Sequence, residues 1–192
     1  MLYTIARQIN WIDLFVVIVL FRIIYVAVNT GFIVEVFKFL GTAASVYLSF
    51  HYYSTLSAVV YRFVGFKNLP VGFFDLPVFI VLALSGYSVC IIFRKFISRL
   101  WKIDAVESWN KWLGIGLGLV RGILLVSLWV FMFTISSSAY LEKCVKDSLT
   151  GKSFFRVAPA VYSALWNGVG SKLSAKEKFN RDVIAVKEKI YR

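Results

Sequence analysis

The chain has 192 residues, of which 59% are hydrophobic and 17% are charged, and its mean hydropathy is +0.75. A soluble domain is closer to half apolar and a quarter charged, so this composition excludes an ordinary soluble protein and predicts an integral membrane protein. The formal net charge of +12 could suit nucleic acid, but in a lipid-embedded chain we expect anionic lipid headgroups to be the counter-charge, and we predict no nucleic-acid partner.

The first apolar run predicts a membrane-spanning helix over residues 11–28. Trp11 suits the headgroup level, and the carboxylate of Asp13 can accept hydrogen bonds from the free N–H groups of the first turn. Arg22 lies near the middle of the run, where a charge is costly and needs a partner. Asn-Thr-Gly at residues 29–31 then predicts a tight turn.

The second span, residues 31–50, carries a narrow polar seam. Polar and small residues recur at spacings of three and four, which places them on one helical face that we expect to face protein while the apolar surface faces lipid. These residues are Gly31, Glu35, Lys38, Thr42, Ser45 and Ser49. Because Arg22 and Glu35 lie at similar depths on either side of the turn, the sequence predicts that these two side chains pair in an antiparallel hairpin.

Residues 54–75 mix basic, aromatic and turn-forming residues, and they predict a segment on the membrane surface. The third span is predicted at residues 76–97. The fourth, residues 112–136, opens with glycines at four-residue spacing, which favours close helix packing. These glycines are Gly114, Gly118 and Gly122. Arg121 beside them is an intramembrane charge that we expect either to serve function or to pair with Glu35 or backbone carbonyls.

The chain changes character after residue 140, where basic residues accumulate. Residues 153–170 are aromatic and amphiphilic, broken at Pro159, and predict an interfacial segment. Residues 174–189 predict an amphipathic helix that starts with a capping box of Ser174 and Glu177. Its apolar stripe either lies on anionic lipid or packs against a partner. The sequence thus divides into a four-span membrane domain, 1–140, and a basic C-terminal tail, 141–192.

The chemistry-bearing motifs of common enzyme classes are missing from the sequence. It contains one histidine and two cysteines, with no metalloprotease motif, nucleophile elbow or phosphate-binding loop. We therefore expect no catalytic activity, no cofactor and no metal site.

Several short motifs follow one another along the chain. They are an Asn-Trp-Ile-Asp opening of the first span, a Gly-Phe-Ile-x-Glu opening of the second, a glycine-rich fourth span with Arg-Gly, and an Asp-Ser pair followed by a proline. The residues are Asn10, Trp11, Ile12, Asp13, Gly31, Phe32, Ile33, Glu35, Gly41, Gly114, Gly118, Arg121, Gly122, Asp147, Ser148 and Pro159. In their order and spacing these motifs resemble the CvpA (colicin V production protein) family. Arg22 and the basic terminal helix have no counterpart in that pattern.

The resemblance implies a small multi-pass protein of the bacterial inner membrane, linked to colicin V production, toxin export and envelope or stress tolerance. The basic residues are too evenly divided between the two sides of the membrane for the positive-inside rule to decide the orientation. The resemblance itself implies that the first and third joints face the cytoplasm. We expect a non-catalytic role with an export or envelope protein as partner. The alternative is an oligomeric channel or transporter, in which several copies of the chain use the polar seam of the second span as a path.

Overall fold

The structure is a computed structural model that describes residues 10–65, 71–100, 107–136, 138–173 and 177–191. Four long helices dominate it: α1 (Trp11–Thr30), α2 (Phe32–Val64), α3 (Asp75–Leu100) and α4 (Glu107–Ile135). Each is long and apolar enough to cross a membrane. The predicted all-α membrane protein with four spans is therefore confirmed.

Two glycines mark the ends of the first two helices. Gly31, the single residue between α1 and α2, has a φ of 75°. Gly65 ends α2 with a φ of 68°, and its N–H donates to the carbonyl of Tyr61. Side chains disfavour this left-handed region, so glycine at these positions allows the chain to turn sharply.

The second helix is much longer than the predicted span of residues 31–50. It continues through Phe50 and His51 to Val64, and its 33 residues extend about 50 Å, well beyond a bilayer core of about 30 Å. Residues 54–64, which were predicted to begin a separate connecting segment, instead continue α2 as helix. A short 3₁₀-helix, Val71–Phe74, leads into α3.

The membrane helices do not pair simply in chain order. α3 packs along α2 in the opposite direction, and Gly86 of α3 lies directly against the backbone of Ala44 and Ser45. α4 packs against both α1 and α2, whereas α1 and α2 make little contact with each other. In the first hairpin, α1 and α2 thus pack against α4 more than against each other. This arrangement places side chains of the fourth span next to the turn at Gly31.

The chain after α4 folds into a compact cap on one end of the bundle. We call residues 138–173 and 177–191 the cap. Its helices are α5 (Ala139–Asp147), α6 (Gly151–Phe155), α7 (Val157–Leu165), a π-helix (Trp166–Gly170), α8 (Ser171–Leu173) and α9 (Asp182–Tyr191). Pro159 lies in the first turn of α7, where its missing N–H is tolerated, so it does not break the segment as predicted.

The predicted C-terminal helix begins later than expected. Ser174 of the predicted capping box lies outside the described residues, and residues 177–180 are not helical. The apolar stripe is nevertheless present on α9, where Val183 and Ile190 are buried and Val186 is half-buried. The stripe packs against the core of its own chain, which is neither of the two outcomes that the sequence left open.

An aromatic core joins the cap to the bundle. The ring centroid of Phe50 in α2 lies 4.2 Å from that of Phe131 in α4, and the Phe131 centroid lies 5.6 Å from that of Phe155 in the cap. Phe79 of α3 and Tyr162 of α7 complete the core, and all five side chains are fully buried. Bundle and cap therefore share one hydrophobic core.

Candidate functional site

Glu35 is the centre of a buried ion cluster close to the turn at Gly31. Its carboxylate is fully buried and lies 2.7 Å from Lys38 Nζ and 3.0 Å from Arg121 Nε. The hydroxyl of Thr30 donates to the same carboxylate at 2.8 Å. The four residues, which we call the membrane ion cluster, come from α1, α2 and α4. This placement agrees with one of the two roles that the sequence left open for Arg121, the structural one.

The contact between Glu35 and Arg121 is an ion pair without an aligned hydrogen bond. Oε2 of Glu35 and Nε of Arg121 face each other, yet neither atom has a hydrogen-bond partner. Oε1, in contrast, accepts from both Lys38 and Thr30. Oε1 is thus well hydrogen-bonded, whereas Oε2 has only the charge attraction of Arg121. This is unusual, because buried polar atoms normally have a hydrogen-bond partner.

Glycines on α4 make room for this cluster. A Cβ added to Gly118 would overlap the Cβ of Ala27 and lie 3.6 Å from the Glu35 carboxylate. A Cβ on Gly114 would press on the backbone at Gly31, and one on Gly122 would press on α1 at Ile23. The predicted close packing of the glycine stripe is therefore present, with α1 as the partner helix.

Arg22 does not pair with Glu35, and this prediction is wrong. The side chain of Arg22 is exposed on the outer surface of α1. The predicted pairing assumed that α1 and α2 pack face to face, but α4 lies against both helices and supplies Arg121 in place of Arg22. The expectation that each intramembrane charge turns inward thus holds for Glu35 and Arg121 and fails for Arg22.

The hydroxyls of the polar seam bond within the helix bundle. Thr42, Ser45 and Ser49 are buried. The hydroxyl oxygen of each lies 2.6–2.9 Å from the backbone carbonyl oxygen one turn earlier in α2, within hydrogen-bonding distance. The hydroxyl of Ser45 also lies 2.6 Å from the carbonyl of Ala83 in α3. In this arrangement Ser45 and Ser49 serve helix packing.

Asp13 anchors the cap to the first span. Its buried carboxylate accepts hydrogen bonds from the hydroxyls of Ser148 and Thr150, each at 2.6 Å, and from the backbone N–H of Thr150 at 2.8 Å. The N–H of Asn10 donates to its second oxygen at 2.9 Å, while the Asn10 amide donates to the carbonyl of Cys144. We call this group the cap anchor. The sequence placed Asp13 at the helix start but did not indicate its partners in the cap.

His51 forms a second contact between α2 and the cap. One ring nitrogen lies 3.0 Å from the hydroxyl of Tyr162, and the other lies 3.1 Å from the carboxylate of Glu177. Tyr52 donates to the same carboxylate at 2.9 Å. The ring also stacks on Trp166. The cap covers His51, which is buried.

Charges outside the membrane spans also hold the cap together. Lys189 of α9 donates to Glu142 of α5 at 2.6 Å, and Lys146 lies 3.3 Å from the same carboxylate. The hydrogen bond from Lys189, and then the one from Lys146, hold the pKa of Glu142 below its ordinary value. Burial raises the pKa of the Tyr162 hydroxyl, so it is a neutral donor or acceptor at physiological pH.

The arrangement offers charge pairing and helix packing. Among the residues that the structure describes, no group of three or more His, Cys, Asp or Glu side chains could hold a metal ion. Cys90 and Cys144 are both free thiols.

The fold and these clusters define an α-helical membrane protein in which four spans carry a folded C-terminal cap. The sequence matches the family described as Colicin V production protein over residues 12–159, and the chain therefore belongs to this family. No curated protein and no solved structure matches the chain.

Proposed function

We propose that this protein is a non-catalytic component of the bacterial inner membrane that assists production or export of colicin V-type toxins or maintains the envelope. Membership of the colicin V production family supports the role, and the absence of catalytic motifs from the sequence supports a non-enzymatic one. Within this proposal the four spans are a scaffold, and the cap is the surface that meets the partner.

The observation that carries the proposal is the basic outer surface of a cap whose apolar side is already buried. Val183 and Ile190 face inward, so the predicted apolar stripe of α9 is not free to enter lipid. The exposed basic residues of the cap are Lys143, Lys152, Arg156, Lys172, Lys178, Arg181, Lys187 and Lys189. Such a surface suits anionic headgroups or an acidic face of an export or envelope protein.

The experiment uses a toxin-producing host that lacks this protein. It would be complemented with the wild type or with a variant carrying Lys172→Gln, Arg181→Gln and Lys187→Gln, three exposed cap positions. Because these side chains point away from the core, we expect normal amounts of membrane-inserted protein. Toxin released into the medium should fall, since the contact surface has lost three charges.

A matched variant controls for the loss of net charge. Arg22→Gln, Arg62→Gln and Lys111→Gln removes three exposed cations outside the cap. Toxin release should stay near the wild-type level in this variant. Equal release from the cap variant and the wild type, at equal protein levels, would contradict the proposal.

The alternative, an oligomeric channel along the polar seam, makes a different prediction. Ser45 and Ser49 are buried and hydrogen-bonded to backbone carbonyls, which argues for a dry seam. In a background with Cys90 and Cys144 replaced by serine, Ser45→Cys and Ser49→Cys should stay inert to a membrane-impermeant thiol reagent. Ser153→Cys, exposed on the cap, should react from its own side of the membrane. Rapid labelling of both seam cysteines would favour the channel.

A further inference from the structure

The membrane ion cluster carries more positive than negative charge. Lys38 and Arg121 are two cations, and Glu35 is the one carboxylate that they contact among the described residues, which leaves a formal charge of +1. Arg121 is almost fully buried, and its Nε lies 3.0 Å from the Glu35 carboxylate without an aligned hydrogen bond. An uncompensated cation is costly inside a membrane, so the cluster is electrostatically suited to one further anionic group.

An apolar groove begins next to this cluster. It is half open, has a volume of about 420 Å³ and lies between α3 and α4, with α2 as its floor. Its lining includes Thr42, Ser45, Ala83, Leu84, Leu125 and Trp129. The hydroxyls of Thr42 and Ser45 are directed to backbone carbonyls, so the groove offers an almost entirely hydrocarbon surface.

The cluster and the groove lie on the same faces of the same two helices. Thr42 is four residues after Lys38 in α2, and Leu125 is four residues after Arg121 in α4. Residues four apart on a helix are stacked one turn above each other. The two cations therefore stand one turn beyond the end of the apolar groove.

We propose that this site binds an anionic glycerophospholipid, with its phosphate at Lys38 and Arg121 and one acyl chain in the groove. Guanidinium groups bind phosphate oxygens well, and the excess positive charge selects an anionic over a zwitterionic lipid. Glu35 lies four residues, or about 6 Å, from the turn at Gly31, a depth that a lipid phosphate reaches from the interface. The inference does not depend on the proposed role in toxin export, and the site is separate from the cap surface.

Native mass spectrometry of the intact protein tests this inference. The detergent-purified protein would be mixed with equal amounts of phosphatidylglycerol and phosphatidylcholine of the same chain length. We expect one tightly retained phosphatidylglycerol, favoured by about fivefold, the factor that about 1 kcal/mol per basic residue implies. Equal retention of the two lipids would overturn the assignment. Oleate displacing phosphatidylglycerol at equal concentration would overturn the choice of a phospholipid.

Three variants locate the site. Lys38→Met makes the cluster neutral while keeping the pair of Glu35 and Arg121, so the preference for phosphatidylglycerol should disappear. Ala83→Phe fills the groove and should lower retention of both lipids. Arg22→Gln removes an exposed cation elsewhere and should change nothing. If Ala83→Phe does not fold, Lys38→Met alone decides: an unchanged preference in that variant would refute the site.

Discussion

Asp13 illustrates how one side chain can couple two parts of a membrane protein. It belongs to the first turn of α1, and it accepts four hydrogen bonds of 2.6–2.9 Å from Asn10, Ser148 and Thr150. Carboxylate hydrogen bonds are stronger than neutral ones because the acceptor is charged. The residues that donate from the cap are distant in sequence, so this single group fixes the cap over the start of the first span.

Asp13→Asn should loosen the cap, because an amide keeps the shape of the side chain but turns one acceptor into a donor that faces other donors. Hydrogen bonds to charged groups are worth about 1.5–3 kcal/mol each, so we expect a loss of at least that size in unfolding free energy. Thermal unfolding in detergent measures the loss. Asp147→Asn, at an exposed carboxylate nearby, should be close to neutral. Equal stabilities of the two variants would contradict the anchor.

The sequence predicted the burial of individual polar residues better than their partners. Glu35, Thr42, Ser45 and Ser49 were expected on an inward face, and all four are buried because a polar stripe cannot face hydrocarbon. The partner of Glu35 depended on which helix packs beside α2, and periodicity within one helix does not contain that information. The prediction that Glu35 pairs with Arg22 was wrong for this reason, and the pairing with Arg121, which the sequence left open, is the one present.

At the scale of helices, α4 is fitted to α1 by its glycines. Gly118→Ala should destabilise the bundle by about 1–3 kcal/mol, because the added methyl group overlaps Ala27 and the backbones must separate. Gly116→Ala is the matched control, since nothing lies within 4 Å of its Cβ position. That change should be neutral or slightly stabilising, because alanine favours a helix. Thermal unfolding of both variants decides; equal effects would exclude close packing at Gly118.

The docking of α9 onto α5 should depend on pH through Glu142. Because the folded pKa of this group is lowered, its contribution is complete above about pH 4.3, the ordinary glutamate value, and is lost as pH falls through the lowered value. Hydrogen exchange of α9, corrected for intrinsic rates, should show this loss on acidification. Asp182 and Glu188 are further carboxyl groups on α9, so Glu142→Gln is the control that isolates Glu142. Superimposable pH profiles of the variant and the wild type would exclude Glu142 as the cause.

Helix existence was predicted from the sequence, while two helix ends were not. Four apolar runs of sufficient length indicated four spans, since hydrocarbon requires every backbone group to be bonded within its helix. The second span was predicted to end at residue 50, but the cap packs against the helix there and α2 continues to Val64. At α9, the capping-box pattern did not start the helix because Glu177 bonds to His51 and Tyr52.

At the scale of the whole molecule, membrane charges and cap belong to one folded unit. The membrane ion cluster holds α1, α2 and α4 together near Gly31. At the opposite end of the bundle, the cap anchor and the aromatic core hold the cap against the membrane helices. The fold class followed from composition and hydropathy. The docked cap did not, because an amphipathic stripe does not indicate which apolar surface covers it.

The central claim is that the buried charges inside the membrane are stabilised by pairing across helices, and a double-mutant cycle on Glu35 and Arg121 tests it most directly. Glu35→Ala should cost about 3–5 kcal/mol, because it leaves the buried Arg121 and the half-buried Lys38 without their acid. Arg121→Leu should cost less, since Lys38 still neutralises Glu35. Unfolding free energies would be measured in detergent. We expect the double variant to lose much less than the sum of the single losses, whereas Arg22→Leu should be additive with Glu35→Ala. Additive losses for Glu35 and Arg121 would contradict the account.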